Sequence, residues 1–309
     1  MSISKLPSAR ARIEKHGSPV NSQQVQRVIA ELVTDGSIEL IAARDQTKID
    51  QAKALLPAGM SVYIPGLPGR PLMSKLERMH ALHTAGYDPV PHLAARRIAS
   101  RQTLREFLER AVQECGAHRV LLIGGDQPEP AGPYVNAAAI LRDGVLAEAG
   151  VREVGLAGYP EGHPPIPSKV LDASLHEKLA LAGDQGLGTY VVTQFSFAPP
   201  RIVDYCARLA RAAPDVPIYA GVPGPTSTGQ LIRYARICGV STSLRVLIDL
   251  GFKAARLLSH TAPLEQLVVL AHYCAARRAC NVVGVHIYSF GGFLEAAQWI
   301  HQLYAETHE

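Results

Sequence analysis

The chain has 309 residues, of which 47% are hydrophobic and 19% charged, with a formal net charge of +4. That balance requires a sizeable core and excludes a disordered chain. Aromatics make up only 6% and no Lys/Arg block stands out, so nucleic-acid binding is not suggested; no apolar run approaches a membrane span.

No linker or low-complexity run divides the sequence, so one domain over residues 1–309 is expected. The opening MSISKLPSARARIEKHGSPV is basic and lacks an apolar centre. It reads as a mobile tail over residues 1–20 and not as a secretory signal. The next stretch, QQVQRVIAELVTDG, has helical periodicity and predicts an extra helix ahead of the first strand.

Eight short runs rich in Val, Ile and Tyr then follow, each trailed by a polar or Gly/Pro-rich stretch. They are SIELIAA (37–43), MSVYIPG (60–66), DPVPHLAA (88–95) and RVLLIGGD (119–126) in the first half. EVGLAGYPE (153–161), TYVVTQFSF (189–197), VPIYAGVPG (216–224) and VVGVHIYSF (282–290) complete the set. Helix-period segments separate them. In SRQTLREFLERAVQECG, Ser100 is placed as N-cap, Leu104, Leu108 and Val112 share a face, and Gly116 ends the helix. Residues 225–281 hold more than one helix. After the seventh strand, Thr226, Ser227 or Thr228 is placed to cap the first of these.

Alternating strands and helices imply a parallel sheet. Eight units in this length predict an α/β (β/α)8 TIM barrel with an extra N-terminal helix. A doubly wound open sheet is the competitor, weakened because no G-x-G-x-x-G follows the first strand and no P-loop occurs. Five cysteines, Cys115, Cys206, Cys238, Cys274 and Cys280, match no zinc spacing and are odd in number. They read as reduced structural thiols of a cytoplasmic protein.

Barrel chemistry gathers at the C-terminal strand ends. There this chain carries Glu39, Tyr63, His92, Asp126, Tyr159 with Glu161 and His163, Gln194, and His286 with Tyr288. A lone strand-end His is more often structural than catalytic. Several polar groups on one rim need partners, because burying them unpaired costs free energy. Each has a bland alternative: Glu39 as a salt-bridged carboxylate, Asp126 as a turn former after Gly-Gly, His163 as a turn brace. Gly125 beside Asp126 suits a backbone that something approaches closely.

Six motifs in order carry a resemblance. GYPEGHP (158–164) is similar to a Tyr-Pro-Glu-x-His-Pro element, and GGDQP (124–128) to a Gly-Asp-x-Pro loop. VPHL (90–93), VTQFSF (192–197), SIEL (37–40) and VHIYSF (285–290) resemble further strands of the same family. Over residues 37–305 the chain resembles methylenetetrahydrofolate reductase, the flavin-dependent barrel enzyme of one-carbon metabolism.

The resemblance implies reduction of 5,10-methylenetetrahydrofolate to 5-methyltetrahydrofolate with NAD(P)H, through FAD. It assigns Glu39 as the acid that helps open the folate ring, and Asp126 as the carboxylate near flavin and pterin. Gln194 becomes the amide reading the pterin edge. Thr226, Ser227 and Tyr288 become folate contacts. Tyr63, His92, Gly125, Asp126, Tyr134, Tyr159, His163 and Lys178 become cofactor contacts. The implied partner is a small-molecule folate, with no nucleic acid or membrane; homo-oligomer formation stays open. A catalytic barrel without the family's C-terminal regulatory domain is expected.

Departures concern the dinucleotide. Gly124 stands where the family carries Arg, and Leu181 and Ala182 stand where basic residues hold the FAD pyrophosphate. Each lost charge-assisted contact is worth roughly 1.5–3 kcal/mol. Strand one lacks the family's Phe-Phe-Pro-Pro, and strand two departs from Thr-Tyr-Gly. Either a different set among Arg70, Arg96, Arg97, Lys169 and Lys178 holds FAD, or the nicotinamide passes hydride directly to the folate. Two other readings remain: a tetrahydrofolate-dependent methyl-transfer or demethylation barrel, and a non-catalytic folate- or partner-binding barrel.

Overall fold

The computed structural model describes residues 21–41, 46–66, 69–237, 240, 262–276 and 280–308. The tail expected over residues 1–20 and Cys238 lie outside these residues.

Helix α1 (Ser22–Thr34) opens the described chain, its N-terminus capped by Asn21, which accepts from the Gln24 amide at 2.7 Å. Its apolar stripe of Val25, Ile29, Leu32 and Val33 is buried. Then come β1 (Ser37–Glu39), α2 (Gln46–Ala52), β2 (Ser61–Ile64), a 3-10 turn (Leu72–Lys75), α3 (Leu76–Thr84) and β3 (Asp88–Ala94). A second 3-10 turn (Ala95–Arg97) leads to α4 (Arg101–Cys115), β4 (Arg119–Ile123), α5 (Ala137–Asp143), α6 (Val145–Glu148) and β5 (Glu153–Gly158). The remainder is α7 (Ser168–Asp184), β6 (Gly188–Thr193), α8 (Pro199–Ala212), β7 (Ile218–Pro223), α9 (Thr228–Ile237), α10 (Ala262–Ala275), β8 (Val282–Tyr288) and α11 (Phe293–His308).

All eight expected strands form. They pair in parallel as a closed barrel in chain order, β8 returning to β1. The expected extra helix is α1, packed against α10, α11 and β8. On α4, Ser100 accepts from the Thr103 amide at 3.0 Å and Gly116 adopts φ 62°, as its sequence predicted. After β7, the Ser227 hydroxyl accepts from the Gln230 amide at 3.3 Å, which makes it the capping residue of that trio.

Period-2 alternation divides each strand between two cores. Outward residues such as Ile38, Val62, Leu93 and Leu122 pack beneath the helices. Inward residues Tyr63, Val90, Leu121, Tyr190 and Val192 form a separate cluster that fills the barrel. Near the N-terminal strand ends, the Arg119 guanidinium donates to Asp88 and, at 2.6 Å, to Ser61, so these polar groups are mutually satisfied. Gly155 permits this filling: a Cβ there would lie 2.7 Å from the Tyr190 ring.

Strand β4 is shorter than its apolar run suggested. It stops at Ile123, because Gly125 turns the chain at φ 94° and lifts Asp126 out of the sheet. Among the described residues, no helix is long and apolar enough to cross a membrane.

Candidate active site at the barrel mouth

Register places the central groups. Glu39 on β1 lies beside Tyr63 on β2, and Ser37 lies beside His286 on β8. Glu39 is therefore flanked by imidazoles from two other strands. Its Oε1 is 3.8 Å from His286 Nε2 and 4.0 Å from His92 Nε2. Both distances exceed a hydrogen bond. Neither Nε2 has a hydrogen-bond partner among the described residues, and all three side chains are buried.

The far side of His286 is anchored. Its Nδ1 lies 2.8 Å from the Ser37 hydroxyl. When that hydroxyl donates, the neutral ring carries its proton on Nε2, facing Glu39. Tyr63 forms the floor, edge-on to His286 at 4.6 Å and to His92 at 5.8 Å between ring centroids. Its hydroxyl donates to Tyr190 at 3.1 Å, and burial, with Tyr190 adding to it, raises its pKa well above the ordinary tyrosine value. Tyr288 closes the β8 side, edge-on to His286 at 4.7 Å and donating to the Thr193 carbonyl at 2.9 Å.

Lys75 lies behind His92. This buried side chain donates its Nζ to the His92 carbonyl. Burial, with Arg78 and Arg97 adding to it, lowers its pKa to about 7. Burial first, then Lys75 and His286, push the His92 imidazole well below its usual range. His92 is thus held neutral, able to accept or donate one hydrogen bond but reluctant to take a charge.

The structure brings Glu39, Tyr63, His92 and Tyr288 together. The other sequence-derived candidates are distributed along the rim. Asp126 is 72% exposed and gripped through both oxygens by Arg97 at 2.7 and 2.9 Å. Gln194 follows β6, its Oε1 accepting from the Phe195 amide at 3.1 Å. Tyr159 and His163 pack edge-on at 5.3 Å in the loop after β5. The Thr226 hydroxyl donates to Gln230 at 2.7 Å beside Ser227. Two candidates are committed elsewhere: Tyr134 is buried with its hydroxyl on Asp143, and Lys178 is buried in α7, where desolvation lowers its pKa.

Sequence reasoning gave no role to Lys75, Ser37, Arg97 as the partner of Asp126, or His286 as a neighbour of Glu39. Lys75 had a detectable signal: with Met79 and Leu82 it occupies one helical face, and both of those are buried. The Ser37–His286 contact spans 249 residues and had none. A cavity of about 330 Å³ lies beside the β5 loop, lined by Tyr159, Asp172, Arg201, Tyr205 and Arg208. It does not include Glu39, His92 or His286.

The family model for methylenetetrahydrofolate reductase matches residues 46–289. The chain belongs to the methylenetetrahydrofolate reductase family. Methylenetetrahydrofolate reductase 2 of Saccharomyces cerevisiae is 28% identical over 138 residues, covering 42% of this chain and 22% of that protein. The 5,10-methylenetetrahydrofolate reductase of Pectobacterium carotovorum subsp. carotovorum is 27% identical over 201 residues, covering 63% of each chain. The chain thus spans less than two thirds of the length of these curated relatives. A solved Clostridium thermocellum protein that binds two copies of 5-methyl-5,6,7,8-tetrahydrofolic acid aligns with 93% of this chain and 99% of its own, with a TM-score of 0.63 at 12% identity. That likeness is one of fold.

The family match begins at residue 46, past Ser37 and Glu39, and includes His92, Asp126, Gln194 and His286. The described basic residues differ in their availability to an FAD pyrophosphate, and Arg201 and Arg208 line the cavity beside Tyr159. Arg96 donates to the carbonyls of Gln127, Pro128 and Val135, bracing its own loop. Arg97 is taken by Asp126, Lys75 by His92, and Lys178 is buried. Arg70 and Lys169 are exposed.

Proposed function

We propose that the protein reduces 5,10-methylenetetrahydrofolate to 5-methyltetrahydrofolate, with a reduced nicotinamide passing hydride directly to the folate's one-carbon unit. The observation that carries this reading is the buried Glu39 carboxyl between the unpartnered Nε2 atoms of His286 and His92. Family membership supports it. Opening the five-membered ring needs a proton on the departing nitrogen, and a buried carboxyl beside two imidazoles can hold and deliver one. The iminium so formed accepts the hydride. The neighbouring His286, steadied by Ser37, shapes the pocket around Glu39, which regains its proton from solvent after each turnover, and Gln194 and Asp126 read the pterin from the rim. Direct transfer is the route proposed because Arg96 and Arg97, two of the cations expected to hold FAD, are engaged with protein acceptors; Arg201 and Arg208, at the cavity beside Tyr159, are the cations a route through FAD would use.

The test mixes the purified protein with NADH or NADPH and follows reduced-nicotinamide absorbance before and after adding methylenetetrahydrofolate. A colourless protein should consume the nicotinamide only when folate is present, and methyltetrahydrofolate should form in equal amount. A yellow protein carrying FAD would replace the direct route and leave the role of Glu39 intact. No consumption with either nicotinamide, with or without added FAD, would overturn the assignment.

A further inference from the structure

We propose that Cys274 and Cys280 form a covalent modification site, a dithiol that a low-molecular-weight disulfide converts to an intramolecular disulfide. Their sulfurs lie 3.0 Å apart, inside ordinary non-bonded contact and about 1 Å from bonding distance. Anchored backbone brings them together. Cys274 sits in the last turn of α10, where the Ala276 amide donates to the His272 carbonyl at 3.1 Å. Cys280 precedes Asn281, whose side chain donates to the Val216 carbonyl at 2.9 Å and whose carbonyl accepts from Ile218 at 2.7 Å. Both cysteines are partly exposed, whereas Cys115 and Cys206 are fully buried. Burial, with nearby Cys280 adding to it, pushes the Cys206 thiol up to about 12, and contact with Cys280, then burial, raises the Cys274 thiol as well; the sulfur–sulfur distance and the partial exposure, not thiolate fraction, single out the pair.

The chemistry balances with a small disulfide as oxidant. One cysteine, as thiolate, attacks a sulfur of the reagent, forming a mixed disulfide and releasing one small thiol. The second cysteine loses its proton, attacks the first cysteine's sulfur and expels the other small thiol. Two protein thiols are oxidised and one small disulfide is reduced to two thiols. The resulting bond ties the end of α10 to the start of β8. It lies at the end of β8 opposite His286 and Tyr288, about 20 Å along a strand of this length. The proposal is therefore independent of the reduction chemistry at the mouth.

Arg277 and Arg278 fall between the two cysteines in the sequence, so trypsin places them on different peptides. The full-length reduced protein is incubated with oxidised glutathione, quenched by alkylation and digested without reductant. The expected product is a cross-linked pair joining the peptide ending at Arg277 to the one beginning at Ala279, two hydrogen atoms lighter than their sum. It should separate on adding dithiothreitol and be absent from Cys274→Ser. Stable glutathione adducts on Cys274 or Cys280 without the cross-link would overturn the proposal. So would a Cys206–Cys280 cross-link, or both thiols remaining fully alkylatable.

Discussion

His286 reaches Glu39 with one ring nitrogen and Ser37 with the other, at 3.8 and 2.8 Å. Ser37 thus holds an imidazole of β8 beside the Glu39 carboxylate of its own strand, across the seam where the barrel closes. The contact that closes the fold also orients the group beside the proposed acid.

Glu39→Gln keeps the side chain's size and removes its titratable proton. Turnover should fall by roughly 10²–10⁴-fold, the usual contribution of a positioned general acid. Methyltetrahydrofolate affinity, measured by titration, should change little. Near-wild-type turnover would remove Glu39 from the mechanism.

Ser37→Ala leaves His286 Nδ1 buried without its partner. The expected loss of stability is about 1–3 kcal/mol, read by urea denaturation. Turnover should fall with it, since the ring's tautomer and aim are no longer set. Unchanged activity in a destabilised variant would leave Ser37 a purely structural role.

Asp126→Asn breaks a bidentate but largely exposed ion pair with Arg97. Its effect on stability should stay within about 1 kcal/mol. Folate affinity and reduction should both weaken, because the carboxylate, not the turn, is proposed to meet the pterin. Wild-type binding and turnover would leave only the turn-forming role.

Lys75 gives stability a predictable pH dependence. Its folded pKa of about 7 lies below the ordinary value of 10.5, so between these values the unfolded chain binds more protons than the native one. Stability should rise with pH across that window. Below about pH 7 the native state bears the whole cost of a buried ammonium. Lys75→Met should remove up to about 1.4 kcal/mol per pH unit from the wild-type slope between pH 7 and 9. Denaturation at several pH values checks this; parallel slopes would show that Lys75 does not titrate there.

The eight strands, the helices between them and the barrel were legible in the sequence. Apolar periodicity and turn chemistry are local signals, and each run such as RVLLIGGD or VVGVHIYSF carries its own. Ser100 and Gly116 mark the two ends of α4 because caps act within one turn. Individual strand-end residues, Glu39, His92 and Tyr288 among them, were legible for the same reason. Tertiary structure alone decided what those residues face. Parallel register across the β1–β8 seam put His286 beside Ser37, although the chain separates them by 249 residues. Packing turned Lys75 inward beneath His92 and committed Tyr134 to Asp143 and Arg96 to its own loop. Hydrogen bonds and burial act through space, so the partners that give these side chains their chemistry are set by the closure of the barrel and not by their neighbours in sequence.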